Sequence, residues 1–522
     1  MSRETVSYQL ADTDTALDIA KLLAGVGKVE TASERSFKLS YYDTFDWRLF
    51  DAGKALCVSQ HEDQSDIQVE SLNADEILAS MPGRLKTGFA DDFGSGRIRD
   101  MVEELIDVRR LMARLDLHAL RTAMAVRDKE GKALFRLNLE SIEAAKPGSR
   151  ARKALGVRLV LEPIRGYAKA AEKAMALLDD SYQRKTEDRA PFLKGLDLIK
   201  VTPGDYSSKL KLHLEPHMTA QQASHLVHLT LLDTIERNEE GTAANIDAEF
   251  LHDFRVAIRR TRSALSQLDK GVLPPKVIAK AKDDFKWIGQ QTNDMRDLDV
   301  YLLDFPKIQG SISESYRDYL TPFKDYLVSK QGKAHAQVQR LIGSARYRKI
   351  LNDWRHYLTE GHQKSSRGED AELPVKELAD SRIWKAYRKV MKEGGAIDED
   401  SPAEMLHDLR ITCKKLRYLL EFFQSLYPAG EIGKLIKALK SFQNVLGEFQ
   451  DTEVQSNAIL QLGRDMAEAK KAPVETQMAM GMVADSILQK QGGARRAFHV
   501  RFDAFSTDEV KDSFKKLFKS RG

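Results

Sequence analysis

The chain has 522 residues, 42% hydrophobic and 31% charged, a balance typical of folded protein rather than of disordered or fibrous chains. No apolar run reaches the roughly 18–20 residues of a membrane helix, and the first ten residues lack a basic-then-apolar leader pattern, so a cytoplasmic location is expected. Cys57 and Cys413 are too few for a disulfide framework or zinc cluster, and with a net charge of only +4 any anion site must come from the placement of cations.

Up to about residue 205 the sequence mixes strand-like and helical stretches. Residues 5–10, 36–42, 55–60, 66–70, 122–127, 133–139 and 157–161 read as strands, several alternating apolar and polar side chains as half-buried strands do. Asp128-Lys129-Glu130-Gly131 between two of them reads as a hairpin loop. An α+β domain over 1–205 is implied.

Pro203-Gly204 marks a break near 203–211, and from 212 to 522 the pattern is helical. Thr219 or Ser224 can cap the first helix, and residues 365–372 and 394–401 read as loops. An internal repeat organises this half. Ala248-Glu249-Phe250-Leu251-His252-Asp253-Phe254-Arg255-Val256 is echoed by Ala403-Glu404-Met405-Leu406-His407-Asp408-Leu409-Arg410-Ile411, and Arg259-Arg260-Thr261-Arg262 by Lys414-Lys415-Leu416-Arg417. A second block, Lys286, Asp297, Asp299 and Val300, recurs as Lys440, Asp451, Glu453 and Val454. Two similar helical bundles related by a pseudo-two-fold follow.

On a helix turning about 100° per residue, His252, Arg255, Arg259 and Arg262 share one arc beside the apolar face of Leu251, Phe254, Ile258, Thr261, Leu265 and Leu268. His407, Arg410, Lys414 and Arg417 do the same beside Leu406, Leu409, Cys413, Leu416, Leu420 and Phe423. Like charges at this spacing repel, and partial burial raises the cost, so each stripe calls for an anion. Asp253 and Asp408 point about 100° away and leave most of that charge unmatched. Arginine suits phosphate because its planar fork donates two parallel hydrogen bonds, lysine adds a point charge, and histidine gains a proton more readily beside an anion. The plain structural alternative is inter-helix pairing with Glu236, Glu239, Asp297 or Asp451. Reproduction of residue type and spacing in both copies argues for a shared ligand.

These two blocks, with Met295-Arg296-Asp297-Leu298-Asp299-Val300 and Leu439-Lys440-Ser441-Phe442-Gln443-Asn444-Val445-Leu446-Gly447-Glu448, closely resemble the CHAD family, the conserved-histidine α-helical domain. The resemblance spans roughly 212–522 and implies an all-α domain of two pseudo-symmetric four-helix bundles around a basic cavity. It further implies binding of inorganic polyphosphate, on polyphosphate granules in many members. Carried over by position, it places His252, Arg255, Arg259, Arg262, His407, Arg410, Lys414 and Arg417 at the cavity, with Lys286 and Lys440 as further contacts. Lys434, Lys437 and Arg495-Arg496 are candidates for extending the path.

In the N-terminal half, the stretch from Ser36-Phe37-Lys38-Leu39-Ser40-Tyr41-Tyr42 through Gly53-Lys54-Ala55-Leu56-Cys57-Val58 resembles the CYTH superfamily, whose antiparallel β-tunnel hydrolyses triphosphate compounds. Active members carry Glu-x-Glu-x-Lys on the first strand, where alternate side chains enter the tunnel to hold a divalent metal and phosphate. Here that strand reads Thr5-Val6-Ser7-Tyr8-Gln9, Cys57 and Ser59 replace expected arginines, and Ile67-Gln68-Val69-Glu70 offers no basic residue. Arg121, Glu140 and Glu162 remain as scattered charges. A non-catalytic domain without metal or cofactor is therefore expected, as a scaffold or residual anion binder.

His225 and His228, with His213 and His217 upstream, lack the further ligands a metal site needs, and the His-Asp dipeptides diverge on their helices, unlike those of metal phosphohydrolases. No phosphate-loop or dinucleotide fingerprint is present. The leading function is polyphosphate binding. The alternatives are triphosphate hydrolysis by the N-terminal domain and nucleic-acid binding, the latter disfavoured because the stripes lack interleaved aromatics. Oligomeric state is not legible.

Overall fold

Alternating side chains in the N-terminal half build a sheet, and the 3.6-residue pattern beyond it builds a helical array. The computed structural model describes residues 6–61, 64–73, 76–185, 191–360, 368–398 and 400–519, and the side chains of residues 185, 450, 451, 453 and 490–496 lie outside that description. The chain divides into two units, Met1–Ser207 and Ser208–Gly522.

The first unit comprises β1 (Val6–Leu10), α1 (Ala16–Leu22), β2 (Lys28–Asp43), α2 (Arg48–Asp51), β3 (Lys54–His61), β4 (Gln64–Ser71), β5 (Ile77–Pro82), α3 (Arg97–Ile106), β6 (Met112–Arg127), β7 (Ala133–Ala145), β8 (Arg152–Pro163), α4 (Ala168–Ser181), β9 (Gln183–Lys185) and α5 (Pro191–Leu198). The strands form one antiparallel sheet in the order β5-β4-β3-β2-β6-β7-β8-β1-β9. Each strand read from alternation lies in this sheet, save Thr5, which falls outside the described residues.

The β6–β7 hairpin closes where the turn residues predict. Asp128 accepts from the Glu130 and Lys132 backbone amides at 2.9 Å, and Gly131 adopts φ +83°, which a side chain would disfavour. One core, built on Leu137, Leu139, Leu159 and Leu161, is joined by Ala171, Ala174 and Leu178 of α4. A second joins Tyr41, Cys57, Leu117 and Ile142 to Phe192 and Leu196 of α5, with the Tyr41 and Phe192 rings 4.7 Å apart.

The second unit runs α6 (Ala220–Ala243), α7 (Ala248–Gln267), α8 (Pro275–Gln291), α9 (Asn293–Leu303), α10 (Phe305–Gly310), α11 (Thr321–Gly343), α12 (Ala345–Thr359), α13 (Val375–Gly394), α14 (Ala403–Phe423), α15 (Ala429–Glu468), α16 (Val474–Phe505) and α17 (Asp508–Phe518). Thr219 caps α6 through a reciprocal box with Gln222, whereas Ser224 is buried within the helix and donates to Asp269 at 2.7 Å. The loop read at 365–372 is described only from 368 onward, and α13 ends at Gly394 ahead of a non-helical stretch in which residue 399 is not described.

The sequence repeat is a structural repeat. Helix α7 begins at Ala248 and α14 at Ala403, and each is followed by a helix, α8 or α15, opening just after a proline. Both repeats contribute to one continuous apolar core running from Leu210 to Phe518. Gly241 lets α6 and α7 approach closely: a Cβ there would lie 2.2 Å from the Phe250 ring. The copies differ in the helix that follows. The first breaks into α8 and α9 at Thr292, while the second continues unbroken as α15. Among the described residues no helix is long and apolar enough to cross a membrane.

Candidate functional site

Helix α7 is anchored by Asp247, which accepts from the Glu249 and Phe250 amides, and by its buried face of Leu251, Phe254, Ile258 and Leu265. That packing fixes the stripe: Arg259 and Arg262 stand exposed and His252 and Arg255 half-buried. On α14, His407 is exposed, while Arg410, Lys414 and Arg417 are half-buried beside Leu409, Cys413 and Leu416. Lys286 on α8 and Lys440 on α15 are both exposed, as are Lys434 and Lys437, whereas the side chains of Arg495 and Arg496 lie outside the described residues.

Arg255 is held by uncharged acceptors. Its Nη1 donates to the Gly289 carbonyl at 2.9 Å and the Thr292 hydroxyl at 2.6 Å, and its Nη2 to Asn293 Oδ1 at 2.9 Å. All three acceptors lie at the α8–α9 break. Burial, with repulsion from Arg259 and Arg296, brings the guanidinium down to about 10, although Asp297 opposes the shift. The folded value lies below the unfolded one, so the charged form costs the fold stability at every pH below about 10. An anion placed here recovers that cost.

The carboxylates available to absorb the stripe are mostly engaged elsewhere. Glu236 pairs with Arg355, and Glu239 accepts from the Tyr347 hydroxyl at 2.5 Å. Asp297, its carboxyl pushed up by burial, makes no ion pair with the stripe among the described residues, and the Asp451 side chain lies outside them. Among the described residues no carboxylate pairs with Arg259, Arg262, Lys286 or Lys440.

Two contacts go beyond what the helical wheel shows. Arg417 is matched internally, its Nε lying 3.7 Å from Glu421 Oε1, and the same carboxylate accepts from Arg260 Nη2 of α7 at 3.1 Å. Arg260, about 80° off the stripe, thus joins the repeats where sequence had placed it outside the site. Nor does the 100° offset keep Asp253 clear of its histidine: ligand atoms of Glu249, His252 and Asp253 all lie within 4.8 Å of one another. These three have the spacing of a metal trio that the reading of His213, His217, His225 and His228 did not find. Arg296 Nη1, 3.9 Å from Glu249, already supplies positive charge there. His228 itself is buried against Asp269 at 2.6 Å, and His217 meets Glu215 at 3.0 Å.

Two cavities of the helical unit lie away from the stripes. One of about 510 Å³ is lined by Asp370, Glu377, Asp380 and Arg382, the other, about 130 Å³, by Phe285, Trp354 and Tyr357.

In the first unit, Arg121, Glu140 and Arg158 are direct neighbours across β6, β7 and β8. Arg121 Nε donates to Glu140 Oε1 at 2.6 Å and Arg158 Nε to Oε2 at 2.7 Å, while Glu140 is 2% exposed. The charges read as scattered therefore form a buried clasp, except Glu162, which accepts from Asn138. Strand register puts Gln9 of β1 on the same face as Arg158.

Residues 228–460 match the family model described as the CHAD domain. The helical unit carries a CHAD domain, as its repeated motifs anticipate. Among solved structures, the CHAD domain from the plant Ricinus communis is 25% identical over 57% of this chain and 96% of its own, with a TM-score of 0.47. PptA from Streptomyces chartreusis is 14% identical over 55% of this chain and 99% of its own, with a TM-score of 0.41. A putative adenylyl cyclase from Hippeastrum, described as having a dominant triphosphatase activity, is 11% identical over 39% of this chain and 100% of its own, with a TM-score of 0.26. No curated protein matches.

Proposed function

We propose that the helical unit binds inorganic polyphosphate along the cationic stripes of α7 and α14. The observation that carries this reading is Arg255, a half-buried guanidinium satisfied only by neutral acceptors and flanked by the exposed Arg259 and Arg262. Such an arrangement keeps charge without a matching carboxylate, which favours an anion with closely spaced negative groups. The repeated His407, Arg410, Lys414 and Arg417 supply a second run, and the shared Glu421 contact supports the two helices meeting at one end of it. Localisation to polyphosphate granules follows from the same reading.

Titration of the full chain with polyphosphate at several salt concentrations tests it. Affinity falls steeply as salt rises, and polyphosphate displaces RNA offered at equal charge concentration. Preference for RNA favours the nucleic-acid reading and contradicts this one.

We further propose that the first unit does not hydrolyse triphosphates. Glu140 is committed to two arginines, Glu162 to Asn138, and β1 carries Ser7 where the metal site requires a carboxylate and Gln9 where the phosphate-holding lysine stands. Among the described residues of this unit no trio of carboxylate, imidazole or thiolate groups has metal-binding spacing. Incubation with tripolyphosphate and manganese releases no phosphate above the protein-free control; sustained release restores the hydrolase reading.

A further inference from the structure

The α14 stripe does not end in solvent. Glu421 lies one turn beyond Arg417, at about 320° on the wheel that puts His407 at 0°, Arg410 at 300° and Arg417 at 280°. The run of cations therefore terminates in an acid on the same face. The position 155 residues earlier is Ser266, neutral and exposed, so the α7 stripe has no such terminus.

Glu421 is buried, and the Arg260 and Arg417 side chains around it are 14% and 28% exposed. One carboxylate faces two guanidinium groups, leaving a positive charge in excess. The Nε atoms of both arginines are buried without a hydrogen-bond partner among the described residues. A purely structural bridge would be expected to satisfy those donors, since leaving them unmade costs free energy. The clasp also spans the two repeats, joining α7 to α14 across 161 residues of sequence.

Resting on the polyphosphate reading above, we propose that Glu421 is a built-in counter-anion that closes one end of the phosphate path. Without ligand it holds Arg260 and Arg417 together. With ligand, the chain stops short of Glu421 on α14, because its carboxylate already occupies Arg260 and Arg417, while the path past Ser266 on α7 stays open. The path thus acquires a direction, and the carboxylate sets how far a bound chain overlaps the second repeat.

The test compares full-length wild type with Glu421→Gln in polyphosphate titrations and thermal melts at low salt. The variant melts lower than wild type without ligand, binds polyphosphate roughly 5-fold more tightly, and loses its melting deficit at saturation, because a phosphate takes the vacated place. Glu431→Gln, which removes a half-exposed carboxylate paired with Lys516, controls for net charge. Equal affinity gains in the two variants, or an undiminished deficit at saturation, overturns the proposal.

Ser266→Glu provides an arm that does not depend on the clasp surviving substitution. An acid at the corresponding end of α7 weakens binding roughly 5-fold, and unchanged affinity also overturns the proposal. Failure of wild type itself to bind polyphosphate rejects the underlying reading, whereas binding by wild type with neither effect rejects Glu421's role alone.

Discussion

Arg255 Nη1 lies 2.6 Å from the hydroxyl of Thr292, the residue at which the first repeat interrupts the helix that its second copy keeps continuous. The interruption supplies the Gly289 carbonyl, the Thr292 hydroxyl and the Asn293 side chain as acceptors that orient the guanidinium without neutralising it. In the second repeat, the position 154 residues after Gly289 is Gln443, a buried side chain whose Nε2 has no partner among the described residues. The two repeats thus differ in the residue at this position.

Charge reversal at Arg255 and Arg410 separates binding from folding. Each of Arg255→Glu and Arg410→Glu weakens polyphosphate binding by about 2 kcal/mol, roughly 30-fold, and the double variant by more. Circular dichroism retains its helical signal, because both side chains are half-buried at the surface rather than in the core. Wild-type affinity in the double variant rejects the stripes as the site.

Arg255→Lys tests the electrostatic strain. Burial and neighbouring cations bring Arg255 down to about 10, so wild type remains cationic through pH 9 and binds nearly uniformly from pH 7 to 9. Lysine starts about two units below arginine, and the same surroundings bring its titration into that window. Its charge is lost as pH rises, so the variant's affinity falls between pH 7 and 9. Parallel pH profiles for variant and wild type contradict this.

Glu140→Gln tests the clasp in the sheet. Removing the carboxylate leaves Arg121 and Arg158 facing one another over a buried position, at a cost of about 1–3 kcal/mol once their partial exposure is allowed for. Hydrogen exchange in β6, β7 and β8 accelerates while exchange in α7 and α14 does not. Unchanged protection across those strands shows the clasp to be dispensable.

Much of the architecture is legible in the letters because it rests on periodicity. The 155-residue echo locates α7 and α14, and alternation locates seven of the strands. What escapes has no period to read. The first half of β2 is mostly exposed from Lys28 to Arg35 and shows no buried face, β5 is an edge strand, and β9 spans three residues. The Arg260–Glu421 contact joins residues far apart in sequence, and Arg260 lies off the stripe that the helical wheel singles out. His252 and Asp253 look divergent on that wheel, yet their ligand atoms approach within 4.8 Å. Side-chain reach, which a wheel ignores, accounts for that difference.

The most direct measurement is a calorimetric titration of the full chain with polyphosphates of defined length, from pyrophosphate upward, at fixed salt. Affinity climbs with each added phosphate until the chain spans the cations of α7 and α14, then levels off per molecule. Binding that is equally tight for pyrophosphate and for long chains, or absent for both, contradicts an extended cationic path.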